Sequence, residues 1–86
     1  MQFLVKVEMN LEGFKKYVYH LVDGETGKHA GFLALIRECN GDMSLLRENG
    51  AVVCKDGAGF VYSVCNIASI TDAEADVYRT ITRRLG

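Results

Sequence analysis

The sequence predicts an α+β fold: an antiparallel β-sheet of four or five strands with a C-terminal amphipathic α-helix packed on one face. Three observations carry that expectation. Residues Gln2 to Met9 alternate apolar and polar side chains with a period of two. Apolar runs flank the polar, glycine-bearing stretches Asp23–Lys28 and Lys55–Gly59, and those over Tyr17–Val22, Ala51–Cys54 and Phe60–Cys65 favour β structure through their β-branched and aromatic residues. The last stretch opens on Thr71-Asp72-Ala73-Glu74, the spacing of a capping box, and continues with Ala73, Val77, Ile81 and Leu85 at four-residue intervals.

In chain order, Phe3, Val5, Val7 and Met9 oppose Gln2, Lys6 and Glu8, which predicts a strand with one buried face; Leu4 breaks the pattern. Asn10-Leu11-Glu12-Gly13 connects it to the next element. Asn10 would also cap a helix carrying Leu11, Phe14, Val18 and Leu21 on one side. A strand is preferred, because Tyr17 to Val22 favours β structure and Gly13 would fall in the first turn of the competing helix. Lys16–Arg37 is then expected to form a β-hairpin around the Asp23–Lys28 loop, with Val22 opposite His29, His20 opposite Gly31, Tyr19 opposite Phe32 and Tyr17 opposite Ala34. One hairpin face carries Tyr17, Tyr19, Leu21, Phe32, Ala34 and Ile36 and is the core candidate. The other carries Val18, Val22, Leu33 and Leu35 beside His20 and His29. Phe32–Cys39 also suits a helix, since Leu, Ala, Arg and Glu favour one and Asn40-Gly41 would stop it. Both assignments stay open.

Asp42–Asn49 has no clear period and is expected as a short helix or an irregular edge segment. Ala51–Cys54 and Phe60–Cys65 predict a second hairpin with Cys54 facing Phe60. Cys65 then lies roughly 18 Å further along the ladder, out of disulfide reach of Cys54. In the final helix, Asp72, Asp76, Arg79 and Arg83 share the side opposite the apolar stripe, acids early and bases late, as the helix dipole prefers.

A chain of 86 residues with a net charge of −1 builds one small domain and supplies no overall field to draw in nucleic acid or an anionic membrane. Its apolar runs are too short to span a bilayer, and its N-terminus lacks the basic and apolar regions of a secretory signal, so a cytoplasmic location is expected. Three cysteines without a CxxC spacing suit reduced thiols.

Gly24-Glu25-Thr26-Gly27-Lys28-His29 has too few residues between its glycines for a phosphate loop and no Ser or Thr after the lysine. His20 and His29 would sit diagonally on one hairpin face, but no third ligand has the right spacing. No nucleophile elbow accompanies any serine or cysteine. The expectation is therefore a non-enzymatic protein with no cofactor and no metal.

A helix of fourteen residues is only about 20 Å long and covers one side of such a sheet. The uncovered face implies a protein partner or a second copy of the chain. Its contact residues are expected to be Val18, His20, Val22, His29 and Leu33, with the turn acids Asp23 and Glu25 beside them. Asp42 and Asp56 are further acidic turn positions suited to a basic partner surface. The alternative is a small nucleic-acid-binding module using a local patch of Lys15, Lys16, Arg79, Arg83 and Arg84 with Tyr17 and Tyr19 as stacking rings. In size, in the lack of a catalytic motif and in its compact α+β pattern, the chain resembles small phage-encoded inhibitors of bacterial defence of the anti-CRISPR type. That resemblance implies steric occlusion of a nucleic-acid-handling host defence complex.

Overall fold

The computed structural model describes residues 1–39, 44–48, 51–55 and 57–85. They form β1 (Gln2–Leu11), β2 (Phe14–Asp23), α1 (Gly27–Glu38), β3 (Ser44–Glu48), β4 (Ala51–Lys55), β5 (Val61–Ile70) and α2 (Asp72–Leu85). The strands make one sheet in the order β2-β1-β5-β4-β3, antiparallel at every junction. The fold is α+β, with an antiparallel sheet and a helix at the C-terminal end.

β1 and β2 form the first hairpin. Glu12 and Gly13 both have positive φ, 51° and 92°, the backbone of a two-residue type I′ turn whose twist matches the flanking strands. The Asn10 side chain steadies it by accepting the Gly13 N–H at 3.0 Å. Val22 therefore lies opposite Phe3, and Tyr19 opposite Lys6.

The expected second arm of a Lys16–Arg37 hairpin is instead helical. Thr26, which looked like part of a hairpin turn, is the N-cap of α1: its backbone is extended and its hydroxyl accepts the His29 N–H at 3.1 Å. From there to Glu38 only Ile36 is β-branched, and the Leu and Ala content lets helix propensity prevail. α1 carries the chain from the β2 edge to the opposite β3 edge, so it must cross one sheet face. It lies over β5, β1 and β2.

Beneath it, Phe3, Val5, Val7, Val22, Cys54 and Tyr62 from the sheet meet Ala30, Ala34, Leu35 and Cys39. The helix sits low because its inner side is small. A Cβ on Gly31 would come within 3.1 Å of Ile67 Cδ1 and 3.5 Å of Val64 Cγ2.

The second hairpin forms with its loop one residue further on than expected. Lys55 pairs with Val61 and Cys54 with Tyr62, not Phe60. None of the three cysteines is in a disulfide. In β5 the register with β1 shifts between Lys6 and Val7, leaving Cys65 as the extra residue of a β-bulge. The segment expected as a short helix or irregular edge contains the edge strand β3; Asp42 and Asn49, like Asp56, lie outside the described residues.

The capping box at the start of α2 is reciprocal: Thr71 N–H donates to Glu74 Oε1 at 3.0 Å and Glu74 N–H to Thr71 Oγ1 at 3.1 Å. The orientation of the helix is the surprise. Ala75 is fully buried and Tyr78 half-buried, and Tyr78 lines an open cleft with Leu21 of β2, so the inner side runs through 75 and 78. The apolar stripe faces outward, with Val77 59% and Ile81 53% exposed.

Candidate interaction surface

The sheet has two faces of different character. Cross-strand partners point to the same side, so Phe3, Val5 and Val7 share their face with Val22, His20 and Val18, and Leu4, Lys6 and Glu8 share the other with Leu21, Tyr19 and Tyr17. α1 takes the first. This overturns the expected exposure of that hairpin face. Val22 is fully buried, Val18 and Leu33 are half-buried against the core, and His20 is half-buried with its Nε2 2.7 Å from Glu38 Oε2.

The other expected contact residues scatter. His29 is exposed in the first turn of α1, where its Nδ1 accepts the Glu25 N–H at 3.2 Å. It lies at the opposite end of α1 from the Glu38 that holds His20, so the two histidines do not share a face as the hairpin would have required. Asp23 is exposed and accepts a hydrogen bond from the Met1 ammonium at 2.9 Å. That contact and charge hold its carboxyl below the usual value. Glu25 is exposed. Among the described residues, no three His, Cys, Asp or Glu side chains gather into a metal-ligand set.

The second face, taken from the sequence as core, is where surface chemistry collects. Tyr17 and Tyr19 are 45% and 50% exposed, and the expected core residues Phe32 and Ile36 lie exposed on α1. The Lys6 ammonium sits 4.5 Å from the Tyr17 ring centroid and 6.0 Å from that of Tyr19, a cation–π arrangement. Glu8, next along β1, pairs with Lys15 at 3.8 Å, and Cys65 Sγ donates to its other oxygen at 3.6 Å. Partial burial and this carboxylate raise the Cys65 thiol.

Between β2 and α2 runs an open cleft of about 390 Å³ lined by Leu21, Tyr78, Arg79, Thr82 and Arg83. Arg79 bonds Asp76 at 3.1 Å, one turn back on its own helix. The side chain of Arg84 lies outside the described residues.

Each helix also touches the free edge of β2. Arg37 of α1 donates to the Leu21 carbonyl at 2.9 Å, and the Tyr78 hydroxyl of α2 to the Tyr19 carbonyl at 3.4 Å. Sequence reasoning missed both contacts, because neither helix was placed against that edge.

The Cys54 thiol is pushed up to about 11 by burial and then by the neighbouring Cys39. A buried thiol in that state is a core side chain and a poor nucleophile. The described surface offers aromatic, basic and apolar contacts, and among the described residues no helix is long and apolar enough to cross a membrane. No family model, curated protein or solved structure compared with the chain matches it.

Proposed function

We propose that the protein is a non-enzymatic inhibitor or adaptor that binds another protein through the surface built by β2 and α2. The reading rests on α2, an amphipathic helix that turns Ala75 and Tyr78 inward and leaves Val77 and Ile81 in solvent. Burying an exposed Val or Ile gains about 1.5–3 kcal/mol, so an outward apolar stripe is a ready contact for a partner. Tyr17 and Tyr19 add aromatic area of the kind enriched at the centre of protein interfaces. Occlusion is the mechanism such a shallow surface supports. A host defence complex that handles nucleic acid is the target class we carry forward from the resemblance in size and style.

The test is capture of a partner from host lysate by the intact protein and by a Val77→Glu, Ile81→Glu variant. Both positions are exposed, so the variant should stay within about 0.5 kcal/mol of the parent in stability. A partner kept by the parent and lost by the variant supports the reading. A partner that binds both equally removes the α2 stripe from it.

A second reading is favoured by the Lys6–Tyr17–Tyr19 cluster and the Arg79 and Arg83 side chains in the cleft: a single-stranded nucleic acid stacking on the rings with its phosphates on the arginines. Fluorescence polarisation with single-stranded and duplex oligonucleotides decides it. Binding that falls steeply with salt and is weakened by Tyr19→Ala would replace the protein-binding reading.

A further inference from the structure

We propose that the edge of β2 accepts an added strand along Lys15–Tyr17, contributed by an extended acidic segment of the partner protein. The inference rests on the protein-binding reading above and names how that partner engages.

The backbone of β2 shows which groups are free. Gly24 N–H bonds the Met1 carbonyl at 3.0 Å, and the β1–β2 register is unbroken from Gln2↔Asp23 to Leu11↔Phe14. In an antiparallel ladder the residues that bond the neighbour alternate with those that point away. Even-numbered residues of β2 therefore face β1, and Lys15, Tyr17, Tyr19 and Leu21 turn their N–H and C=O groups outward. The two side-chain contacts agree with this, because the carbonyls reached by Arg37 and Tyr78 are those of Leu21 and Tyr19.

The edge is thus divided. Its C-terminal half is capped by one side chain from each helix. Among the described residues nothing bonds the outward groups of Lys15 and Tyr17. A row of unpaired outward groups is a template for another strand unless it is blocked.

The side chains around the open half define what fits. Phe14 is 82% exposed on one side of the strand, and Tyr17 is half-exposed on the other. An incoming strand would find an aromatic cross-strand neighbour on each face. Lys16 is exposed as well, and so is Lys15, whose ammonium lies 3.8 Å from Glu8 Oε1. Antiparallel pairing of β2 with a second β2 across this stretch would set the lysines of one copy against those of the other, which is unfavourable. The same charges complement glutamates or aspartates, so they bar self-association while selecting an acidic strand.

The experiment is an NMR titration of the full chain with a short capped peptide of alternating glutamate and valine. Saturable shifts centred on Lys15 and Tyr17 are expected, with slowed exchange of those two amides. Lysine in place of glutamate, or N-methylation of alternate peptide amides, should weaken binding by roughly tenfold or more, because main-chain bonds carry strand addition. Shifts centred elsewhere, or binding indifferent to N-methylation, overturn the proposal.

In the protein, Tyr17→Pro removes the outward N–H, a substitution edge strands tolerate, whereas Tyr17→Ala removes only the ring. Peptide binding should be lost in the first and partly kept in the second. If Tyr17→Pro fails to fold, the N-methylated peptide decides the question on the unaltered protein. A host partner kept by Tyr17→Pro but lost by Val77→Glu, Ile81→Glu overturns strand addition and leaves the protein-binding reading standing. Tighter binding of a single-stranded oligonucleotide than of the acidic peptide at Lys15–Tyr17 overturns both.

Discussion

The two helices reverse the roles that their sequences suggest. α1 has apolar residues almost all round and little amphipathic contrast, yet it supplies the cover of the core, with Ala30, Gly31, Ala34 and Leu35 buried. α2 has a clean apolar stripe and a reciprocal capping box, yet it buries Ala75 and leaves Val77 and Ile81 exposed. What separates them is topology. α1 has to carry the chain across the sheet between its two edges, whereas α2 follows β5 and leans on β2 at one end. An apolar stripe identifies a face that can be buried; the connection decides whether the chain itself buries it.

That contrast is broken most severely by truncating the side chains under α1. Leu35 is 2% exposed, so Leu35→Ala should cost about 2–5 kcal/mol in urea unfolding. Ile81→Ala, an equally large loss of hydrocarbon on α2, should stay within about 0.5 kcal/mol. Comparable losses at the two positions would mean that α2 is as much a part of the core as α1.

Close approach is the next lever. Gly31→Val would push into Ile67 and Val64, and overpacking of this kind costs about 1–3 kcal/mol. Gly31→Ala crowds only the flexible end of Ile67, at 3.1 Å, meets Val64 at ordinary contact distance and regains about 0.8–1 kcal/mol of helix propensity, so it should fall near neutral. A well-tolerated valine would show that α1 can lift from β5 without loss.

How far this was readable from sequence differs by element. β1 was legible because Phe3, Val5 and Val7 alternate without a gap and all three are buried. So was the start of α2, since Thr71 and Glu74 are close enough in sequence to satisfy each other. α1 was legible only in its second half, where Phe32–Cys39 suited a helix as well as a strand; its start was not, because Gly24 to Lys28 has the composition of a hairpin loop and hides a helix cap at Thr26. Gly24 is in fact packed on α1: a Cβ there would come within 3.1 Å of Ala30. The scarcity of β-branched residues after His29 was the available signal for a helix. The surface was inverted for a related reason. Period-two alternation divides β2 into Tyr17, Tyr19, Leu21 on one side and Val18, His20, Val22 on the other, but nothing local says which side a distant element will cover. Only the crossing of α1 settles that, and it buried the side expected to be free.

The caps sharpen the comparison at smaller cost. Thr26→Ala removes the hydroxyl that holds the His29 N–H, and should lower global stability by about 0.5–2 kcal/mol because α1 is integral to the core. Thr71→Ala removes an equivalent bond from α2, but the loss should show as faster amide exchange confined to the first turns of α2, with the midpoint of global unfolding scarcely moved. A matching shift in global stability from both alanines would contradict the separation between the helices.

Acid provides the mildest way to part them. Hydrogen bonds from the Thr71 backbone and side chain hold the Glu74 carboxyl below its ordinary value of 4.5. A carboxylate whose value is lowered by folding stabilises the structure fully above its unfolded value, and that contribution is lost as pH falls through the folded one. α1 has a hydroxyl cap and no acidic residue in its first turn, so it has no matching loss at its N-terminus. Between about pH 6 and about pH 3, amide protection corrected for intrinsic exchange should therefore decline at Glu74 and Ala75 before it declines at Ala30. Glutamine suits the same position of a capping box without titrating, so Glu74→Gln should remove the difference. If the acid sensitivity of Ala75 survives in Glu74→Gln, its source is the wider docking of α2 on β2, and the capping box is not what makes that helix the labile one.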